Sequence, residues 1–338
     1  TAATPADLDA ARDMLRSGKV TVECDAEKKG IYIEVQVRSA KDTAAAILEA
    51  SHDQISKVIK NGEVVYDSPK REAVAKEFAM SFSLSEILDY AEHVPVEDIR
   101  FLLEGDTMNR ALANDGLQHA FGLGSGKVLL DANAGADFSK LPNLYAKILT
   151  CAASDARMGG SLLPAMSTVG SGNQGITAII PVGVFADHIA ATEEQRCRAF
   201  AISHLVTYMV KSYIGRISST CLCAIASASG AASSMVWLSG GNQQQIEHAI
   251  INVISALAGQ ICDGAKNACA LKMGVACDQA FMAATLALNG SHAGSYDGLT
   301  EDGLEDTLRN LGKLTARTRE DVDAVMIQVL NAKNGGTK

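Results

Sequence analysis

Two stretches of this chain, Met158 to Ala186 and Ile217 to Ile246, carry no charged residue. Each is longer than the ~20 residues that cross a bilayer. Yet Gly, Ser, Asn and Gln are scattered through both, and the second closes on Gly240-Gly241-Asn242-Gln243-Gln244-Gln245. A membrane span is richer in Leu, Ile and Phe. We read both stretches as the buried interior of a globular protein with no membrane contact. Hydrophobic residues make up 47% of the chain but aromatic ones only 5%. A core of that kind relies on small and aliphatic side chains, which suits closely packed helices rich in alanine.

At 338 residues the chain has room for about two domains. Its 39 acidic and 30 basic residues give a formal charge of −9. That balance speaks against a nucleic-acid partner, which needs a basic face. It also speaks against a polybasic membrane anchor. No basic-then-apolar leader follows Thr1. A secreted scaffold held by its eight cysteines would be smaller and would carry such a leader, so this points to a cytoplasmic protein. Five of those cysteines, Cys221, Cys223, Cys262, Cys269 and Cys277, fall within one segment. In a reducing compartment such a group means metal or catalytic chemistry, or simply thiols used as small core residues.

The first 70 residues read as a small α/β unit of ββαββ type. Pro5 to Arg16 suits a helix with Thr4 as its cap. Lys19 to Cys24 and Ile31 to Arg38 read as a hairpin, the second strand alternating Ile31, Ile33, Val35 and Val37 against Tyr32, Glu34, Gln36 and Arg38. Lys41 to Ala50 reads as a short helix. Gln54 to Lys60 and Glu63 to Tyr66 flank Asn61-Gly62, a strong signal for a two-residue hairpin turn. From residue 71 to 338 we expect a mainly helical domain holding the functional site. Its helices begin with 71–93 and 96–121 on either side of Pro95, and end with Arg319 to Ala332. The fold class is therefore α+β.

Several groups could carry chemistry. Val169 to Gly175 (VGSGNQG) combines three glycines with Ser171, Gly172, Asn173 and Gln174 ahead of an apolar helical run. A helix start of that kind can cradle a carboxylate or phosphate. It can equally be a plain turn, and it matches neither a P-loop nor a dinucleotide fingerprint. Cys262 and Cys269 would lie about 10 Å apart along an unbroken helix, but Gly264 and Asn267 can break it and bring the sulfurs together. Asp263 and Lys266 place charge in this sparsely charged region, where charge is costly unless paired or used. In Thr220-Cys221-Leu222-Cys223 the thiols are two apart, so at most one joins a shared site. Asp155 and Arg157 could anchor a carboxylate or form a structural ion pair. His204 and Lys211 share a helix face and could act as base or anchor; a purely structural hydrogen bond is the plainer reading. Phe101 to Gly105 with Met108-Asn109, and Gly122 to Gly126, suggest no chemistry by spacing.

Taken together, five strings resemble the bacterial and archaeal L-cysteine desulfidases and their relatives, kin of the α-chain of iron–sulfur L-serine dehydratases. They are Phe101 to Gly105, Ser154 to Gly160, Gly170 to Gly175, Ser203 to Val206 and Ile261 to Cys269. The resemblance implies a [4Fe–4S] cluster on Cys221, Cys262 and Cys269 with one open iron. The family has Cys-Gly-Cys where this chain has Cys221-Leu222-Cys223, so Cys223 rivals Cys221. It also implies an amino-acid substrate at Ser171, Gly172, Asn173 and Gln174, with Asp155, Arg157 and Lys266 near, and elimination to pyruvate and ammonia in a homo-oligomer. The family's catalytic base is the cysteine of a Cys-Thr-Glu-Pro motif, which this chain does not contain. Either the base comes from a separate N-terminal fragment, or the chain is a non-catalytic small-molecule or iron–sulfur binder. His204 and Lys211 remain weak candidates. A pyridoxal-phosphate lyase using Lys266 has no further support.

Overall fold

The structure is a computed structural model; it describes residues 4–25, 28, 31–49, 54–68, 81–215 and 218–335. The chain divides into two compact units: Thr1–Glu77 with Asp321–Lys338, and Phe78–Glu320. The division differs from the one expected from the sequence, which puts the boundary near residue 70 and the C-terminal end in the helical part.

In the first unit, helix α1 (Pro5–Arg16) starts at Thr4, whose side chain and that of Asp7 cap each other's backbone. Four strands follow: β1 (Tyr32–Arg38), β2 (Thr43–Glu49), β3 (Ile55–Lys60) and β4 (Glu63–Asp67). They form an antiparallel meander in the order β1-β2-β3-β4. The β3–β4 turn is the expected Asn61-Gly62, both at positive φ (51° and 85°). Two expectations are corrected. Lys41 to Ala50 is not a helix: Thr43–Glu49 is β2, paired with both β1 and β3. Its alanines favour helix only weakly, and two ladders of hydrogen bonds override that preference. Lys19 to Cys24 is not a strand; β2 is the partner of β1.

The second unit is helical. Helix α2 (Leu84–His93) is closed by a Ser83–Glu86 capping box. The expected 96–121 helix is split into α3 (Val96–Ile99) and α4 (Leu102–Gln118). Then come α5 (Ser125–Ala132), α6 (Pro142–Gly159), α7 (Gly172–His188), α8 (Glu193–Ile214), α9 (Leu222–Leu238), α10 (Gln243–Leu257) and α11 (Cys269–Leu288). The last, α12 (Leu304–Gly335), begins well before the expected Arg319, and from Asp321 on its residues are counted with the first unit. Part of the expected 71–93 helix lies outside the described residues.

The uncharged stretches contain α7 and α9, which are buried along almost their whole length, but the loop ahead of α7 is not buried as expected, with Leu162 92% exposed. A helix apolar or small on every side has no solvent face to offer, so it sits at the centre. Small residues set the spacing. A Cβ on Gly230 of α9 would collide with the Ser203 carbonyl of α8, and the Ser234 hydroxyl donates to the Ala199 carbonyl at 2.7 Å. Among the described helices, α11 is long and apolar enough to cross a membrane. Here it packs inside the bundle, with Met273, Ala276, Cys277 and Ala280 fully buried.

Candidate functional site

The glycine-rich segment is a tight two-residue turn feeding a helix. Thr168 and Ser171 exchange backbone hydrogen bonds, each 3.1 Å, around Val169 (φ 47°) and Gly170 (φ 79°). Valine at positive φ is strained, because its branched Cβ crowds the backbone. Ser171 then caps α7. Asn173 and Gln174 are buried, at 4% and 2% exposure, although both carry polar side chains.

Two helices grip this turn. From α4, Asn109 accepts the Met166 N–H at 3.0 Å, and Asp115 accepts the Ser161 hydroxyl. Gly105 leaves room for Met166 and Ile179. The Phe101–Asn109 motif thus supports the loop, a role its spacing gave no hint of. From α8, His204 Nδ1 pairs with the Thr168 hydroxyl at 2.7 Å. Lys211 Nζ donates to the Val169 carbonyl at 2.7 Å and to Gln174 Oε1 at 3.1 Å. Burial lowers the His204 pKa to about 4, and its Nε2 has no hydrogen-bond partner among the described residues. The imidazole is therefore neutral near pH 7.

The thiols gather beside the same turn. A short antiparallel bridge joins Thr220 to Ile261; Cys221 N–H donates to the Gln260 carbonyl and Cys262 N–H to the Ser219 carbonyl, both at 2.7 Å. This register puts Cys221 and Cys262 on one face as a diagonal pair, a relation that spans about 7–8 Å in antiparallel ladders. Cys221 is the N-cap of α9, and Cys269 is the first residue of α11. The segment between Cys262 and Cys269 is not helical, as its glycine and asparagine suggested. Cys223 lies 3.6 Å from the Ser171 hydroxyl, which ties the thiols to the turn. Hydrogen bonds from Cys221 and Ser171 outweigh burial and lower the Cys223 pKa, while the same thiol contact and burial raise that of Cys221. The charge of Cys223 also responds to Cys262 and Cys269, and burial raises the Cys262 thiol. Among the described residues, no three His, Cys, Asp or Glu side chains stand close enough to hold a single metal ion.

The remaining candidates separate. Arg157 does reach the helix start: its guanidinium lies against Gly172 and donates to Asn173 Oδ1 at 3.3 Å. Asp155 does not join it. Its fully buried carboxylate accepts from Leu123 N–H, the Ser125 hydroxyl and Gly126 N–H at 2.7–3.1 Å, holding the start of α5. The Gly122–Gly126 string could not reveal that partner, because Asp155 is about 30 positions away. Lys266 is ion-paired with Asp263, which also binds Lys272 at 2.6 Å. Burial pushes the Asp263 carboxyl up, but the bonds from Lys266 and Lys272 prevail and bring it down to about 2. Lys272 was missed by sequence reading; it braces the loop between Cys262 and Cys269. Cys151, Cys197 and Cys277 are core thiols, buried in α6, α8 and α11.

The helical unit thus brings a serine-capped glycine turn at the start of α7 against a group of thiols. Residues 19–328 match the family model described as serine dehydratase alpha chain, and the chain belongs to that family. It is similar to a UPF0597 protein of Desulforapulum autotrophicum, at 36% identity over 98% of this chain and 77% of the relative. A UPF0597 protein of Clostridium botulinum is 36% identical over 95% of this chain and 75% of its own length. One of Aeromonas hydrophila is 37% identical, covering 99% and 77%.

Proposed function

We propose that this chain is the larger part of a [4Fe–4S]-dependent amino-acid β-lyase that eliminates sulfide from L-cysteine, or water from L-serine, to give pyruvate and ammonia. The observation that carries this reading is the junction of cradle and thiols, the 3.6 Å approach of the Ser171 hydroxyl to Cys223. The donor set suits such a cluster. Each cysteine of a cubane binds a different iron, so the thiols stand farther apart than the ligands of one ion. The spread of Cys221, Cys262 and Cys269 around Cys223 is compatible with that, and the helix starts at Cys221 and Cys269 favour anionic groups. When bound, the cluster supplies a Lewis acid for the leaving thiol or hydroxyl.

The chain's own residues do the holding. The turn amides, Ser171 and Asn173 receive the substrate carboxylate at the start of α7, with the Arg157 cation beside them. Loss of the α-proton and of the β-substituent leaves aminoacrylate, which water converts to pyruvate and ammonia. None of the residues described above is assigned as the base that takes the α-proton. His204 and Lys211 are committed to the turn instead.

Anaerobic reconstitution tests the reading. About four irons per chain with broad visible absorption, lost in Cys262→Ala, supports the cluster. Pyruvate from L-cysteine or L-serine once the N-terminal segment is supplied supports the lyase. A cluster without elimination of either substrate favours a binding protein, and failure to take up iron removes the proposal.

A further inference from the structure

The two α8 side chains that touch the turn have a geometric consequence. His204 and Lys211 are seven residues apart, two helical turns, and so lie on one face of α8. Both hold the same short hairpin, at neighbouring residues: His204 pairs with the Thr168 hydroxyl, and Lys211 donates to the Val169 carbonyl and to Gln174 Oε1 of α7. Lys211 is 2% exposed, so its ammonium approaches the turn from inside the bundle.

A peptide group is planar and trans, and this chain has no cis bond among its described residues. The carbonyl of Val169 and the N–H of Gly170 belong to one peptide and point in opposite directions. With the carbonyl drawn inward to Lys211, the N–H faces outward, and Gly170 is exposed. A charged donor on the carbonyl also polarises the peptide and strengthens its N–H as a donor. Val169 keeps a positive φ that a valine does not choose unaided, so something outside the turn has to hold it there.

We propose that Lys211 is a positioning residue: by holding the Val169 carbonyl from within the bundle, it turns the Gly170 N–H outward as a donor for the carboxylate of an amino-acid ligand. This rests on the amino-acid site of the proposed function. Lys211 exchanges no proton with the substrate. Its contribution is to fix one peptide plane, and it is therefore felt as selectivity for a carboxylate.

The test uses L-alanine, which has the carboxylate but no β leaving group and is not consumed, against L-alaninamide, which lacks the charge. Both are titrated by calorimetry into the full chain and into Lys211→Met and Lys211→Arg. Backbone amide exchange at Thr168 and Ser171 is followed in the same samples. The wild type should prefer L-alanine at least tenfold. Lys211→Met should lose that preference and speed exchange at both amides about tenfold, while Lys211→Arg keeps part of each. Wild-type preference with an unchanged preference in Lys211→Met overturns the positioning role and leaves the amino-acid site intact. A wild type that binds neither compound refutes the amino-acid site itself.

Discussion

Gly175→Ala gives a direct measure of how tightly the segment leading into the 168–171 turn is pressed onto α7. A Cβ at this position would run into the Met166 carbonyl oxygen, with the Met166 and Ser167 carbonyl carbons at 2.8 and 3.0 Å. These are backbone atoms, so no rotamer change relieves the clash. Overpacking of this kind costs about 1–3 kcal/mol. The upper part of that range applies, because the segment 166–168 is pinned by Asn109 and by the Ser171 pairing. Alanine regains roughly 1 kcal/mol of helix propensity over glycine. The net loss is about 1–2 kcal/mol, together with a displaced Ser171. Guanidinium unfolding followed by circular dichroism measures it. Gly259→Ala, with nothing within 4 Å of its Cβ, serves as a control of near-zero effect. A Gly175→Ala protein as stable as its parent, with unchanged L-alanine affinity, would refute this account of the turn.

Three further outcomes follow from the same structure. Burial lowers the His204 pKa from 6.5 to about 4, so the folded chain binds fewer protons than the unfolded chain between those values. Stability then falls as pH drops through that window, by up to about 3 kcal/mol; His204→Gln should flatten the dependence in unfolding titrations at pH 4 to 7. Burial pushes the Cys151 thiol up to about 12 and raises the Cys277 thiol as well, whereas Cys24 is exposed. Iodoacetamide at pH 8 should label Cys24 while sparing both buried thiols, as read by mass spectrometry; equal labelling in the native state would contradict their burial. Asp263→Asn should loosen the loop between Cys262 and Cys269 by releasing Lys266 and Lys272. Iron retained after reconstitution should fall several-fold in that variant, and full retention would show that the loop needs no such brace.

Much of the site was legible because its signals are local. A glycine turn ahead of an apolar run announces a helix start whatever surrounds it, and Ser171 does cap α7. Gly264 and Asn267 do interrupt the path from Cys262 to Cys269. Other residues misled because their partners are remote. Asp155 looks like the mate of Arg157, two positions on, but its bonds go to the start of α5. Lys266 looks available, but Asp263 takes it. Thr168 and Asn109 gave no signal, since each matters through one hydrogen bond to a distant element.

The sequence by itself determined which segments lie inside and where several elements start and turn. Uncharged runs bury themselves as α7 and α9, a Thr4–Asp7 box opens α1, and Asn61-Gly62 closes a hairpin. These follow from the cost of burying charge and from backbone preferences within a few residues. Only the tertiary structure decided that Thr43–Glu49 is a strand, that Thr220 pairs with Ile261, and that Lys211 holds the Val169 carbonyl. Each of these depends on a hydrogen-bonding partner many residues away, and no local pattern encodes which distant group will arrive.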